Sequence, residues 1–307
     1  MGTPDFALPG LEALIREGYT VSAVFTQPDK PKGRGMRLTS PPVKVFAPSH
    51  NIPVFQPVSL KKETNTYVPV IKSFNPDFIV VIAYGKILPK EILDIPRLGC
   101  INVHGSLLPK YRGAAPIQWT VINGDEYGGV TTMMMAEGMD TGDMLLKKAV
   151  KVDENETSSE YYDRLSIIGA ELLVKTLEGV AENRIIPQPQ IESEATLAPM
   201  LSKEMSPTDF DLPARRVYNH INGLSTYPCA TCIYEGKRLK LYRAAVVCEK
   251  GKKGAPGEII DPVSFTVSCS EGAVRILELQ AEGGRRMSFE DYLRGRPVIK
   301  GSILLKG

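Results

Sequence analysis

Asn102, His104 and Asp140 are the residues whose types and spacing suit proton and acyl chemistry. Asn102 and His104 stand two apart in the run Cys100–His104, so on a strand their side chains share one face. An amide N–H and an imidazole N–H aimed at one point form an oxyanion-hole-type donor pair. Histidine also moves protons near neutral pH. Asp140 stands between Gly138 and Gly142, on a turn from which it can hold an imidazole and stabilise its charged form. Singly, each has a structural reading: a hydrogen-bonded strand-end histidine, an aspartate that caps its own turn. Together, among flanking glycines and prolines, they point to a site. No serine or cysteine is placed as a covalent nucleophile, since Ser106 is followed by Leu107, Leu108 and Pro109, which read as a wall for a ligand. The set suits direct transfer of an acyl group to an amine, without an acyl-enzyme.

The surrounding pattern supplies the elements that must hold these side chains. Gly10–Gly18 reads as a short amphipathic helix and Tyr19–Thr26 as a strand. Pro28–Pro42 reads as a loop rich in proline, glycine and basic residues, without a hydrophobic period. Val43–His50 and Tyr67–Phe74 look helical. Val54–Phe55, Cys100–His104 and Gly129–Ala136 look like strands. Phe78–Tyr84 is a continuous apolar run of the kind covered on both faces in parallel sheets. Thr157–Val180 is the clearest helix, opened by a Thr157/Glu160 capping box and carrying Tyr161, Leu165, Ile168 and Leu172 on one stripe. The alternation predicts an α/β fold: a Rossmann-like open, mostly parallel sheet over residues 1–186, with ligands at the carboxyl ends of its strands. Tyr84, Asn102 and His104 sit at such ends.

Pro187–Gln190 breaks the pattern, and 187–204 reads as a linker. Beyond it, a helix near Ala214–Ile221 precedes five short strands with glycine turns, which predicts a small OB-like β-barrel over 205–307.

Composition narrows the class. A chain of 307 residues with 43% hydrophobic and 23% charged residues is ordinary for a two-domain globular protein. No apolar run approaches the ~20 residues that cross a bilayer. Met1–Phe6 carries glycine, proline and aspartate where a signal peptide is basic and then apolar. Cys100, Cys229, Cys232, Cys248 and Cys269 are odd in number and scattered, as in a reducing compartment. A cytoplasmic, monomeric protein is expected. Cys229 and Cys232 have C-x-x-C spacing but no second pair, so core packing rather than a metal is expected. Net charge is +2, yet residues 201–307 hold 17 Lys+Arg against 12 Asp+Glu. That excess fits either a polyanionic partner or a solvated lysine-rich surface.

The stretch Asn102–Pro109, followed by Arg112–Gln118 and Asp140–Asp143, resembles the signature of the 10-formyltetrahydrofolate-dependent formyltransferases. Gly2–Phe6, Thr26–Asp29, Gly33–Gly35, Ser40–Lys44, Pro53–Pro57 and Leu201–Glu204 are similar to the members that act on methionyl initiator tRNA. The resemblance covers nearly the whole chain. It implies a Rossmann-like domain that binds 10-formyltetrahydrofolate, with Asn102, His104 and Asp140 matching the family's catalytic residues. It implies a folate pocket lined by Ser106, Leu107, Leu108 and Pro109, with Tyr84 and Ile87 on the neighbouring loop. It implies transfer of the formyl group to the methionyl α-amine. Arg34 matches the basic residue of the family's tRNA-recognition loop, which also carries Lys30, Lys32 and Arg37. Lys237, Arg238 and Lys240 on the barrel would form a second tRNA surface.

The family's apolar first strand belongs directly before Gly2–Phe6, so either the start is misplaced or the sheet is expected to lack that strand. An amino-sugar nucleotide is the alternative acceptor. A glycinamide ribonucleotide enzyme would not need the last hundred residues, and no G-x-G-x-x-G follows a strand as a dinucleotide enzyme requires.

Overall fold

The computed structural model describes residues 1–32 and 37–307. They form two compact units, each assembled from separate stretches of chain. The first comprises Met1–Ala114, Gly129–Val150 and Tyr162–Ala198, and the second Ala115–Gly128, Lys151–Tyr161 and Pro199–Gly307.

The first stretch of chain folds as α1 (Leu8–Arg16), β1 (Val24–Phe25), β2 (Lys30–Lys32), β3 (Arg37–Thr39), α2 (Pro42–Phe46), β4 (Val54–Phe55) and α3 (Thr64–Ser73). β5 (Ile79–Ile82), α4 (Lys90–Leu93), β6 (Cys100–His104) and β7 (Arg112–Gly113) follow. After α5 (Pro116–Asn123) come β8 (Tyr127–Met134), β9 (Met144–Lys151), α6 (Ser158–Ala181) and β10 (Leu197–Ala198). β1 pairs with β4 and β5 with β6 in parallel, whereas β8 runs antiparallel to β6 in the order β5-β6-β8-β9. The sheet is therefore mixed rather than mostly parallel. Both its faces are covered. Ile79, Val81 and Cys100 join Ile71 of α3 and Ile92 of α4 in one core cluster. On the other face Gly169 of α6 lies close enough to Val103 that an added Cβ would be 3.0 Å from its side chain. The capping box opens α6 as expected: the Thr157 amide donates to Glu160 at 3.0 Å, and its hydroxyl donates to the same carboxylate at 2.8 Å.

Two expectations change. The strand anticipated over Tyr19–Thr26 shrinks to Val24–Phe25, because residues 19–23 have no neighbouring strand to pair with among the described residues. They line a cavity of about 660 Å³ whose opposite wall is Phe78–Val80. At its end Met1 and Gly2 bridge the walls: the Met1 amine donates to the Val80 carbonyl at 2.6 Å, the Ile82 amide to Met1 at 2.9 Å, and the Gly2 amide to Phe25 at 3.0 Å. The sheet is split where a central strand of a doubly wound fold would lie. The loop anticipated over Pro28–Pro42 instead contains the antiparallel arms β2 and β3, with Lys30 opposite Thr39. Leu38 on it is 73% exposed, and Lys30, Pro31 and Thr39 are exposed as well, so these positions leave no apolar period to read.

The second unit adds α7 (Ala214–Gly223), β11 (Ala230–Tyr234), β12 (Lys237–Cys248), β13 (Ile259–Asp261), β14 (Thr266–Ser268) and β15 (Ala273–Ala281). β16 (Met287–Ser288), α8 (Phe289–Gly295) and β17 (Leu305–Lys306) complete it. Its strands form one sheet in the order β13-β14-β15-β12-β11-β17, with β16 on β15. β12 breaks register with β15 three times, and such bulges bend a strand and increase its twist. Val217 and Ile221 of α7 pack with Leu239, Leu241 and Ile276 in its core. Cys232 lies in the same core and Cys229 is also buried; burial pushes their thiols up to about 12 and about 11, as for apolar packing residues. No described helix is long and apolar enough to cross a membrane.

Candidate active site

β6 delivers two polar side chains to one place. Its register pairs Ile82, the last residue of β5, with Val103, so His104 is the first residue beyond the parallel pair. On the other side Asn102 faces Met133 and His104 faces Thr131 of β8. His104 is 6% exposed. Its Nε2 lies 2.9 Å from the Tyr111 carbonyl oxygen; that oxygen can only accept, so Nε2 carries a hydrogen. Nδ1 faces Oδ1 of Asp140 at 3.7 Å.

Asp140 is held from several sides. The Gly113 amide donates to its Oδ2 at 2.8 Å, and Nδ2 of Asn102 donates to its Oδ1 at 3.5 Å. Asp140 has φ +53°, a left-handed value that costs a non-glycine residue energy unless its surroundings fix it. Gly142 shows why the turn is glycine-flanked: a Cβ there would lie 1.8 Å from the Met134 carbonyl oxygen. The sequence pattern thus brings Asn102, His104 and Asp140 together as expected, with a carboxylate oxygen shared by the other two. One amide hydrogen of Asn102 remains for a ligand. His104 has no ring N–H to offer one while its bond to Tyr111 persists, which departs from the simple donor pair read from the sequence.

The segment after β6 is a tied loop. Ser106 is fully buried, its hydroxyl donating to the Lys110 carbonyl at 2.6 Å. Thr131 of β8 donates to the Ser106 carbonyl at 2.7 Å and accepts from the Leu108 amide at 3.1 Å. Lys147 of β9 donates to the Leu108 carbonyl at 2.9 Å. Leu108 packs on Met133 and Met144. Leu107 stays partly open beside a buried Pro109. Of the two residues expected on the neighbouring loop, Ile87 is 78% exposed. Tyr84 is a core residue instead: its ring is 2% exposed in the α3/α4 cluster, and burial raises its phenol. Only its backbone is turned outward, the carbonyl accepting from Gln27 at 2.8 Å. A strand-end tyrosine looks the same in sequence whether its ring faces core or ligand.

The polar segment after Pro187 is more than a spacer. Gln188 exchanges two backbone hydrogen bonds with Met144, both 2.8 Å. Gln190 donates to the carbonyls of Asp140 and Gly142, each at 2.8 Å, and β10 pairs in parallel with β7. These bonds join residues 44 to 85 positions apart, and no local sequence pattern announces them.

The basic residues divide by position. Lys30 is exposed on β2. Lys32 and Arg37 belong to the hairpin arms, and Arg34 lies outside the described residues. Lys237, Arg238 and Lys240 are exposed on β12. Further along it, Tyr242 lies under the Arg286 guanidinium at 4.5 Å from the ring centroid.

Comparison with known proteins places the chain in a family. A family model described as formyl transferase matches residues 1–177, and one described as formyl transferase, C-terminal domain, matches residues 200–297. The chain is 48% identical over 305 residues to the methionyl-tRNA formyltransferase of Caldanaerobacter subterraneus subsp. tengcongensis, covering 99% of this chain and 98% of the relative. It is 47% identical over 306 residues to that of Pelobacter propionicus, covering 99% and 94%. Among solved structures it resembles WlaRD, a sugar 3N-formyl transferase, with a TM-score of 0.69 over 90% of this chain and 94% of that one. At 17% identity that likeness concerns the fold alone.

Proposed function

The chain belongs to the formyl transferase family, and from that premise we infer that it moves the formyl group of 10-formyltetrahydrofolate to the α-amine of methionyl initiator tRNA. The observation that carries this reading is the convergence of Asn102, His104 and the Asp140 carboxylate at the open end of β6. Asn102, His104 and Asp140 are the catalytic residues. The loop Ser106–Pro109, with Ile87 nearby, lines the folate side. The residues fit such a donor: an amide hydrogen is left over on Asn102, and the partly open Leu107 offers an apolar contact.

The chemistry balances without a covalent enzyme intermediate and without a metal. The neutral amine forms a C–N bond to the formyl carbon, whose oxygen gains charge. The amide N–H of Asn102 stabilises that charge as it develops. His104 joins once its ring releases Tyr111, and it carries the proton that the amine loses to the departing N10. Asp140 orients the ring and stabilises its charged form. The bond from carbon to N10 then breaks, giving formyl-methionyl-tRNA and tetrahydrofolate.

For tRNA, the basic residues Lys30, Lys32, Arg34 and Arg37 supply phosphate contacts near the acceptor end. The 205–307 domain, whose bent sheet we read as an OB-like barrel, adds Lys237, Arg238 and Lys240. Its substrate puts the enzyme, a monomer, in the cytoplasm. Formylation assayed with initiator methionyl-tRNA, elongator methionyl-tRNA and an amino-sugar nucleotide tests the reading. Turnover of the initiator alone supports it; turnover of the sugar nucleotide alone overturns it.

A further inference from the structure

We propose that Gln190 is the positioning residue that holds Asp140 in its working geometry, an inference that rests on the catalytic assignment above. The Asp140 turn has no helix or strand of its own to keep φ at +53°. Its carboxylate must nevertheless stay aimed at both Asn102 and His104. The Gln190 amide does this through the backbone. Its nitrogen has two hydrogens, and one goes to the Asp140 carbonyl and the other to the Gly142 carbonyl, both at 2.8 Å. The turn is thus clamped on either side of Thr141.

The amide is itself prevented from rotating. Its Oε1 accepts from Nε of Arg112 at 3.0 Å, so a flip would set an NH₂ group against a guanidinium and an oxygen against two carbonyls. Arg112 is 5% exposed and is fixed in turn: Nη1 donates to Glu192 at 3.0 Å, and its backbone amide donates to the Thr196 carbonyl at 2.8 Å. Gly113, next in the chain, gives its amide to the Asp140 carboxylate. The strand β7 therefore grips Asp140 twice, once directly and once through Gln190.

Both N–H donors of the Gln190 amide and its oxygen are engaged by Asp140, Gly142 and Arg112, and none of these bonds goes to Asn102 or His104. Its effect on turnover must therefore pass through Asp140. Misplacement of a reacting group by about 1 Å costs up to ~100-fold in rate. Gln190→Ala is expected to lower kcat by ~10-fold or more, with KM for the folate and for methionyl-tRNA within ~twofold of the parent. Gln190→Glu keeps the acceptor for Arg112 but loses both donors, and it should behave the same way.

A double-mutant cycle with Asp140→Ala is the decisive measurement. If Gln190 acts through Asp140, Gln190→Ala costs less than ~twofold more in that background. Losses that multiply, an unchanged kcat in both single variants, or a change confined to KM overturn the inference. So does a failure of both Gln190 variants to fold or to bind methionyl-tRNA, because the role is then general stability. The catalytic assignment fails separately, if Asp140→Ala itself forms product at the parental rate.

Discussion

Oδ1 of Asp140 stands 3.7 Å from Nδ1 of His104, while Nε2 of the same ring is bonded to the Tyr111 carbonyl. Both ring nitrogens thus face acceptors, which fixes the plane of the imidazole and the edge it turns toward the carboxylate. His104→Ala and Asp140→Ala are each expected to bind methionyl-tRNA normally and to lose at least ~100-fold in formylation rate. Single-turnover rates and filter binding check this pair of statements. A near-parental rate in either variant removes that residue from the mechanism.

Gly113 serves the site with its backbone, and its conformation leaves no room for a side chain. It has φ +123°, and an added Cβ would stand 2.7 Å from the Ala198 carbonyl oxygen. Gly113→Ala must therefore shift β7 away from β10 and disturb the amide that donates to Asp140. The expected result is a loss of ~1–3 kcal/mol in stability together with a fall in kcat. Denaturant unfolding and steady-state kinetics on one preparation measure both. A variant as stable and as fast as the parent would show that the β7–β10 pairing does not hold the carboxylate.

What could be read from the sequence divides along physical lines. β6 and α6 were legible because their signals are local: an apolar run at strand length, and a capping box ahead of a stripe of apolar residues. That Asn102, His104 and Asp140 come together was legible because strand ends and glycine-flanked turns mark the places where this fold presents polar side chains; the catalytic roles proposed for them rest on that placement. Tyr19–Ala23 misled, since β-branched and aromatic residues form a strand only beside a partner, and here they face a cavity. Tyr84 misled because nothing local tells which side of the sheet its ring enters. Gln190 left no trace. A glutamine in a proline-containing polar segment looks like linker until the fold brings the Asp140 carbonyl to it.

Arg238 and Lys240 sit on the exposed side of β12, opposite Ile233 and Thr231 of β11. If they meet tRNA phosphates, their contribution is electrostatic and salt-dependent. Charge reversal by Arg238→Glu or Lys240→Glu should raise KM for methionyl-tRNA several-fold and leave KM for the folate alone. Each should also reduce the slope of log affinity against log salt by ~1 for each phosphate that is no longer neutralised. Titrations between low and physiological salt give that slope. An unchanged slope would mean that this face is only a solvated surface.

The cavity between Tyr19–Phe25 and Phe78–Ile82 makes its own prediction through the Met1 amine. That amine is fully buried, and burial pushes it down from 8.0 to about 5. A base whose pKa falls on folding is neutral in the folded state and protonated in the unfolded state between those two values. The unfolded state then binds more protons, so stability rises with pH from about 5 to 8, by up to ~1.4 kcal/mol per unit. Joining a Gly/Ser segment ahead of Met1 turns the amine into an amide and should abolish this slope. Joining about six β-branched apolar residues should abolish it too. Those residues also have unpaired backbone and apolar walls on both sides to pair with, so Tm should rise by several degrees beyond the Gly/Ser form. Thermal unfolding of the three forms at pH 5, 6.5 and 8 separates the two effects. Equal melting temperatures for the apolar and Gly/Ser forms would show that the cavity is not a seat for a strand.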